Sequence, residues 1–258
     1  RHQRGHLPPE QKSNTMQAII LAAGLGTRLK PLTDDRPKAL VLLKGMTLLD
    51  RAIAYLTVQG IERIVVNIHH FGNQIADHIS HGQYDVPVLI SDERRLLKDT
   101  GGALVQALPL LSPDEDILIY NTDIVTDMLL SKLFSAHIAS GNDATLLTSV
   151  RESTRQLAFS PKGWLTGWQN KKNDEIKGVL EPDSRMFSFS GIHIIKPSLI
   201  GYFGQEFGDA PFSVIPAYIL AALDHKIGYY MTPESIKWMD VGSPEKLKLA
   251  EEYLLKEE

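Results

Sequence analysis

The sequence predicts an α/β fold whose central sheet is largely parallel. Short apolar, β-branched segments alternate with helix-like segments almost from end to end, an order typical of βαβ units. Of the 258 residues, 43% are hydrophobic and 22% are charged, which are ordinary proportions for a globular domain with a sizeable core. The chain shows no internal repeat, low-complexity segment or linker, so we expect one domain.

The elements follow from local patterns along the chain. Thr47 caps the first predicted helix and Gly60 ends it, whereas Ser243 followed by Pro244 begins the last helix. Alternating or β-branched apolar runs predict strands at residues 17–22, 64–68, 86–90, 117–120, 144–150, 164–168, 186–195, 227–231 and 237–239. Helical periodicity predicts helices at residues 48–59, 72–80, 103–108, within 127–140, at 213–223 and from 244 onward.

The first fifteen residues differ from the rest of the chain. They have no apolar period and contain two prolines and several polar residues ahead of Met16. We therefore interpret residues 1–15 as a tag or disordered leader. We expect one domain over residues 16–258, with a lobe at about residues 150–190.

Composition excludes several classes of protein. The formal net charge is −4 and the pI is near 6.2, which argues against a general nucleic-acid binder. The absence of cysteine excludes disulfides, zinc–thiolate sites and thiol nucleophiles. No apolar stretch approaches the roughly 18 residues of a membrane span, and no secretory signal is visible. These features predict a cytoplasmic enzyme or binding domain; they leave its oligomeric state open.

The most informative stretch is AIILAAGLGTRLKPLTDDRPKAL, at residues 18–40. An apolar strand leads into a turn containing Gly24 and Gly26, followed by Arg28 and Lys38. Glycines allow backbone N–H groups to approach an anion closely, and a guanidinium can bind phosphate oxygens through two donors. A loop with these donors and a lysine suits a triphosphate better than a single carboxylate.

Other phosphate loops fit this stretch less well. The sequence contains no G-x-x-x-x-G-K-[ST] motif, and a dinucleotide fingerprint would need glycine where Leu29 stands. Pro31 would also break the helix that such a fingerprint opens. The remaining alternative is a plain glycine turn flanked by surface charges.

The whole stretch resembles the G-x-G-T-R-[LM]-x-P-L-T…P-K-[AP]-L signature of sugar-phosphate nucleotidyltransferases, the NDP-sugar pyrophosphorylases. The resemblance implies a single Rossmann-like domain of the GT-A type, with a mixed, mostly parallel sheet flanked by helices. It also implies that the glycine loop wraps the nucleotide phosphates, and that Arg28 and Lys38 are catalytic. The nucleotide-binding residues that it implies in this loop are Ala22, Ala23, Gly24, Gly26 and Thr27.

Two aspartates are candidate metal ligands. Asp123 follows a buried strand in ILIYNTDI, and Asp240 stands in KWMDVGSPEKL. Ligands of open α/β sheets bind beyond the carboxyl ends of the strands, although aspartates are also common in turns. The pair is similar to the family's magnesium aspartates, which implies a Mg²⁺ site; Thr122 replaces the glycine usual before the first of them.

Three further segments carry weaker signals. Thr100 and Gly101 resemble the family's T-G-G loop near the base, and Gly191 resembles its F-S-G-I strand beside the sugar. A helix entry and a buried strand are the alternative interpretations. Lys171 is the nearest match to the lysine that holds the sugar phosphate, but its neighbours do not match and a solvated loop fits equally well.

The resemblance implies that the enzyme converts a sugar 1-phosphate and an NTP into an NDP-sugar and pyrophosphate. LAAG in place of LAGG favours UTP, and the sequence around Asn67 is similar to small uridylyltransferases that act on amino-sugar or muramate 1-phosphates. Three alternatives remain: a phosphocholine cytidylyltransferase, a regulatory module that binds a nucleotide sugar, and a GT-A glycosyltransferase. The last usually carries a D-x-D motif, which NTDIV lacks. The base and the sugar remain open.

Overall fold

A computed structural model describes residues 16–255 of the chain; the leader proposed for residues 1–15 lies outside them. The described strands are β1 Met16–Leu21, β2 Leu42–Leu43, β3 Met46–Thr47, β4 Ile61–Ile68, β5 Val88–Asp92, β6 Ile117–Asn121, β7 Ile124–Thr126, β8 Ala144–Ser149, β9 Arg155–Phe159, β10 Leu165–Asn170, β11 Glu175–Gly178, β12 Arg185–Ile195, β13 Ile227–Met231 and β14 Trp238–Asp240. The described α-helices are α1 Leu48–Val58, α2 Gly72–His81, α3 Asp99–Ala107, α4 Leu130–Ser140, α5 Pro197–Phe207, α6 Val214–Ala221 and α7 Pro244–Leu255.

Ten of these strands form one mixed sheet. Its main path runs β11-β10-β9-β12-β6-β1-β4-β5; off this path, β8 pairs with β12, and β13 pairs with β8. The pairs β6–β1, β1–β4 and β4–β5 are parallel, whereas β12 is antiparallel to β6. This architecture confirms the predicted α/β class with a mixed sheet flanked by helices.

The core covers both faces of the sheet. Successive side chains of a strand point to opposite faces, so Ile20 packs among residues of α1, α2 and α4 while Ile19 packs among residues of α3, α5 and α6. A third cluster joins Leu29 of the opening loop to Val241 and to Leu247 of α7. This cluster brings the two signature segments, residues 18–40 and 237–247, into contact.

The strand β12 changes partners at a bulge. Its first residues pair with β9, its last residues pair with β6, and the register against β8 shifts between Phe189 and His193. Gly191, inside this shift, has φ +74°, a conformation that L-residues with side chains rarely adopt. The bulge therefore turns one long strand from the parallel part of the sheet towards the antiparallel part.

Several elements differ from the sequence-based expectation. The strands β9 and β11 and the helix α5 were not predicted, and α3 begins at Asp99, four residues earlier than expected. The start signal of α5 was present, because Pro197 occupies the first turn of that helix. Strand β11 carries mostly exposed polar side chains at the edge of the sheet, so it shows no apolar alternation. Strand β9 lies inside the sheet, but its apolar run is only the three residues 157–159. Within residues 16–255, no helix combines the length and apolar character required to cross a bilayer.

Candidate active site

The opening loop is shaped by Gly26. This residue has φ +65°, and a Cβ there would lie 3.0 Å from the Cβ of Lys38 and from Cγ2 of Thr33. The Thr33 hydroxyl donates to the Gly26 carbonyl at 2.7 Å. Glycine is therefore needed at residue 26 so that the segment carrying Lys38 can pack against the loop. Thr27, the next residue, begins a short 3-10 turn.

The other residues of the loop differ in how much room they have. A Cβ built on Gly24 would meet no atom within 4 Å, so the loop has open space on this side. Ala22 and Ala23 are buried, and their N–H groups both donate to the side-chain oxygen of Asn67.

Four charged side chains converge beside this loop. The Lys38 ammonium lies 2.5 Å from an Asp123 carboxylate oxygen. Arg28 Nη2, Asp123 Oδ2 and Asp240 Oδ1 each lie 2.8 Å from the point that a Cβ on Gly242 would occupy. No two of these three atoms are therefore farther apart than twice 2.8 Å.

The backbone and a second lysine hold the two aspartates in place. The Val241 N–H donates to the Asp123 carbonyl at 2.8 Å, so the end of β14 lies against the residue that follows β6. Asp240 accepts hydrogen bonds from the Gly242 N–H and the Lys246 ammonium, each at 2.8 Å. Burial acts to raise the pKa of Asp240, but Lys246, the Gly242 N–H and the Arg28 charge outweigh it, so this pKa lies below its usual value. Asp240 is therefore ionised at neutral pH.

The pair of aspartates suits a hard divalent cation that also binds substrate. Magnesium is commonly held by one or two carboxylates together with substrate phosphates and water. Asp123 and Asp240 present two carboxylates whose facing oxygens lie no farther apart than twice 2.8 Å. Among the described residues, no group of three or more His, Cys, Asp or Glu side chains has metal-binding geometry. A cation here would take its remaining ligands from the substrate and solvent.

A cleft of about 950 Å³ extends from these charges. Arg28, Asp123 and Asp240 line one end of the cleft. Gly191, in the bulge of β12, also lines the cleft, and a Cβ at this position would lie 2.8 Å from the Asn121 amide nitrogen. Antiparallel strands build the other end, which is lined by Gln156, Trp168, Asn170, Lys177 and Phe189. The volume falls within the range of small-molecule sites.

Arg151 also lines the cleft and was missed in the sequence. Its guanidinium stacks on Trp238, 4.1 Å from the ring centroid, and donates to the Ser149 and Ser190 hydroxyls and to the Phe189 carbonyl. Burial lowers the pKa of Arg151, and the nearby Asp240 charge opposes this effect. These three bonds leave Nε–H and one terminal N–H of the guanidinium for other partners. Arg151 follows a strand without any local motif, so only the fold reveals its position.

Lys171 does not line this cleft. Its N–H donates to the Thr154 carbonyl at 2.7 Å, and it borders an adjoining depression that shares Arg151, Ser153, Thr154 and Gln156 with the cleft. The next residue, Lys172, lines the cleft instead. The structure therefore does not bring Lys171 together with the other predicted site residues.

Thr100 and Gly101 lie in the first turn of α3 and pack against the segment before α6. The Thr100 hydroxyl accepts the Val214 N–H at 3.0 Å, and the Gly101 N–H donates to the Phe212 carbonyl at 2.8 Å. A Cβ on Gly101 would overlap the Phe212 ring. Internal packing therefore already requires glycine at this position. Ser213, between these partners, lines the cleft.

Comparisons with known proteins agree with this arrangement. Residues 17–160 match the nucleotidyl transferase family. The chain is 32% identical over 249 residues to an N-acetylmuramate α-1-phosphate uridylyltransferase of Caulobacter vibrioides, covering 93% of this chain and 97% of that protein. A Neisseria meningitidis protein of the same name is 38% identical over 120 residues, which is 46% of this chain and 52% of that protein.

Solved structures share the fold at lower sequence identity. HddC from Yersinia pseudotuberculosis, in complex with GMP-PN, superposes with a TM-score of 0.74 at 21% identity, covering 93% of this chain and all of that one. An inositol-1-phosphate CTP transferase from T. maritima gives a TM-score of 0.74 at 17% identity, covering 93% of this chain and 95% of that one. With Arg28, Asp123 and Asp240 at one cleft and Lys38 bonded to Asp123, the chain belongs to the nucleotidyl transferase family, as a sugar-phosphate nucleotidyltransferase.

Proposed function

We propose that this protein transfers a uridylyl group from UTP to a sugar 1-phosphate, and that N-acetylmuramate 1-phosphate is the first substrate to test. The observation that carries the proposal is the convergence of Arg28, Lys38, Asp123 and Asp240 at one end of a cleft. The choice of uridine and sugar is supported by the relative from Caulobacter vibrioides, which matches along nearly its whole length.

The reaction requires no general base from the protein. The second pKa of a phosphate monoester is about 6, so the attacking sugar-phosphate oxygen is already largely anionic at neutral pH. This oxygen forms a bond to the α-phosphorus of UTP, the bond from that phosphorus to the bridging oxygen breaks, and pyrophosphate leaves with the electron pair. The main difficulty is to bring two highly anionic molecules together in line.

The charged residues address this difficulty by position. Arg28 and Lys38 would bind phosphate oxygens and offset the charge that develops on the leaving pyrophosphate. Positioning two reactants in this way can contribute roughly 7–11 kcal/mol in favourable cases. Asp123 and Asp240 would hold Mg²⁺, which when bound polarises phosphoryl oxygens as a Lewis acid.

Arg151 is our candidate for the residue that binds the sugar phosphate. Arg151 lines the cleft as well as the adjoining depression, whereas Lys171 borders the depression without lining the cleft. Arg151 also lies close enough to Asp240 for their charges to interact. Its two remaining N–H donors suit phosphate oxygens, which bind arginine through parallel hydrogen bonds.

The test is pyrophosphate release in the presence of magnesium. Four NTPs are crossed with a panel containing N-acetylmuramate 1-phosphate, N-acetylglucosamine 1-phosphate, glucose 1-phosphate and phosphocholine. We expect release only when UTP and a sugar 1-phosphate are both present, and no release with EDTA. Release with CTP and phosphocholine would instead establish the cytidylyltransferase alternative. Nucleotide binding without release on any pair would favour the regulatory module.

A further inference from the structure

A buried amide and a buried carboxylate lie directly beneath the opening loop. Asn67 is 3% exposed at the end of β4, and Glu93 is 1% exposed just after β5. The Asn67 oxygen accepts the N–H groups of Ala22 and Ala23, at 2.6 and 3.2 Å. The Asn67 amide group donates to Glu93 Oε1 at 2.9 Å. The loop is therefore tied to the carboxylate through one side chain.

The second oxygen of Glu93 is bonded to another candidate nucleotide-binding segment. Glu93 Oε2 accepts the Lys98 N–H at 3.1 Å, immediately before α3 and the Thr100–Gly101 turn. Burial raises the pKa of Glu93, and hydrogen bonds from Asn67 and the Lys98 N–H partly oppose that shift. One carboxylate thus joins the segment at residues 22–26 to the segment at residues 98–101.

Glu93 also determines which way the Asn67 amide points. A carboxylate only accepts hydrogen bonds when ionised, so it holds the NH₂ group on its own side and leaves the oxygen facing the loop. In the flipped orientation, the NH₂ group would face the N–H donors of Ala22 and Ala23. Burying a carboxylate carries a desolvation penalty, and an apolar pair would fill the same space without fixing an orientation.

We infer that Asn67 and Glu93 are positioning residues that hold the two nucleotide-binding segments in one arrangement. This inference rests on the proposed function, because it takes residues 22–26 and 100–101 as the part of the site that binds the nucleotide. Neither side chain touches the substrate in this account. They act through the backbone of Ala22, Ala23 and Lys98.

An exchange of amide and carboxylate tests the inference. In Asn67→Asp, two carboxylate oxygens would face each other across 2.9 Å. In Glu93→Gln, one oxygen must serve two donors, or the new NH₂ group must face one of them. The double variant restores every bond. The new aspartate accepts from Ala22, Ala23 and the new glutamine, whose oxygen accepts the Lys98 N–H. The buried charge is also conserved.

The measurements are the Kd of UTP with magnesium by calorimetry, the KM of each substrate, and the thermal unfolding temperature. We expect each single variant to weaken UTP binding by about tenfold or more, because a buried donor or acceptor left without a partner is costly and the two backbone segments must shift to relieve it. The double variant should return the Kd to within about threefold of the wild type. The KM of the sugar 1-phosphate should change little throughout.

Gln17→Glu supplies a matched control. Gln17 is a buried amide at the opposite end of the neighbouring strand β1, where it bonds the backbone of Ser112 and Glu115. This change buries a similar charge and should lower the unfolding temperature without altering the Kd of UTP. A purely structural role for Asn67 and Glu93 would give the same result as this control.

The outcomes separate this inference from the proposed function. Single variants that bind UTP like the wild type overturn the inference, as does a folded double variant with no recovery. A wild type that binds no nucleotide overturns it as well. A wild type that binds UTP but releases no pyrophosphate refutes the proposed function alone, and the exchange can still be scored by Kd. If both single variants fail to fold, recovery of folding without recovery of UTP binding in the double variant also overturns the inference.

Discussion

The two ends of the cleft are built in different ways. One end is lined by Arg28, Asp123 and Asp240, and we call it the phosphate end after its proposed role. There, oppositely charged side chains are in direct contact, as in the Lys38–Asp123 and Lys246–Asp240 pairs. The other end, which we call the sugar end after its proposed role, is lined by aromatic and cationic side chains such as Trp168, Lys177 and Phe189 from antiparallel strands. We expect the phosphate end to hold the reacting phosphates and the sugar end to be the part that differs with the sugar.

The largest effect should follow from removing a charge at the phosphate end. We expect Lys38→Ala and Asp123→Ala each to lower kcat by about 100-fold or more, the scale seen when one preorganised electrostatic contact is removed. Pyrophosphate release under saturating substrates gives kcat, and thermal unfolding reports whether the fold is intact. Asp35→Asn is the matched control, because Asp35 lies on the same segment but has an exposed carboxylate that pairs with its neighbour Arg36. If the folded Lys38→Ala and Asp123→Ala variants kept near wild-type turnover, these two residues would not be catalytic and the two ends of the cleft could not be distinguished in this way.

A methyl group placed among the charges should have the next largest effect. Gly242→Ala would put a carbon 2.8 Å from Arg28, Asp123 and Asp240, so these groups must move apart. We expect turnover to fall by about tenfold to 100-fold, with less change in stability, because the charges can relax towards the open cleft.

Gly201→Ala in α5 is the control for this substitution. A Cβ at Gly201 would meet nothing within 4 Å, so turnover should not change, and the helix should gain about 0.5–1 kcal/mol of stability. Equal turnover in the two glycine variants would show that the spacing of the three charges does not matter.

The two ends also differ in how much of each could be predicted from sequence. The proposed phosphate-binding residues Arg28 and Lys38 lie in one contiguous signature at residues 18–40, because a single loop can present several donors to one group of phosphates. The two candidate metal ligands stand at or just after the ends of strands, Asp240 at the end of β14 and Asp123 two residues after β6. These features identified Arg28, Lys38, Asp123 and Asp240, and the structure gathers all four.

The sugar end could not be predicted in the same way. Its residues come from four different strands, β9, β10, β11 and β12, and no contiguous motif contains them. Lys171 was chosen by its place in a degraded motif, but both lysines lie in the turn after β10, and there it is Lys172 that lines the cleft. Arg151 depends on a stacking contact with Trp238, which lies more than eighty residues later and becomes a neighbour only through the fold.

A comparison of these two cations sharpens the assignment at the sugar end. We expect Arg151→Met to raise the KM of the sugar 1-phosphate by about tenfold or more, since a hydrogen bond to a charged group contributes about 1.5–3 kcal/mol. The KM of UTP should change less. Lys171→Met is the matched control and should leave both KM values within about twofold of the wild type. The reverse ranking would return the role to Lys171.

The smallest effect on turnover is expected at His193, which lies on β12 two residues beyond the bulge. It is buried against Tyr218, with ring centroids 5.5 Å apart, and neither ring nitrogen has a hydrogen-bond partner among the described residues. Burial lowers its pKa to about 3 from an ordinary value of 6.5. The folded protein therefore keeps this side chain neutral where the unfolded chain becomes protonated.

Stability should fall accordingly as the pH drops from 6.5 towards 3. In that window the unfolded state binds one more proton at this site than the folded state, so the wild type loses about 1.4 kcal/mol per pH unit. His193→Leu removes this contribution. As the pH falls through this window, the unfolding free energy of the variant should rise relative to that of the wild type by about 1.4 kcal/mol per pH unit. Urea denaturation at several pH values measures it, and turnover at pH 7.5 should stay within about twofold. If the difference in unfolding free energy does not change with pH, His193 is protonated in the folded state as readily as in the unfolded chain. A large loss of turnover would mean that the site extends beyond the bulge of β12.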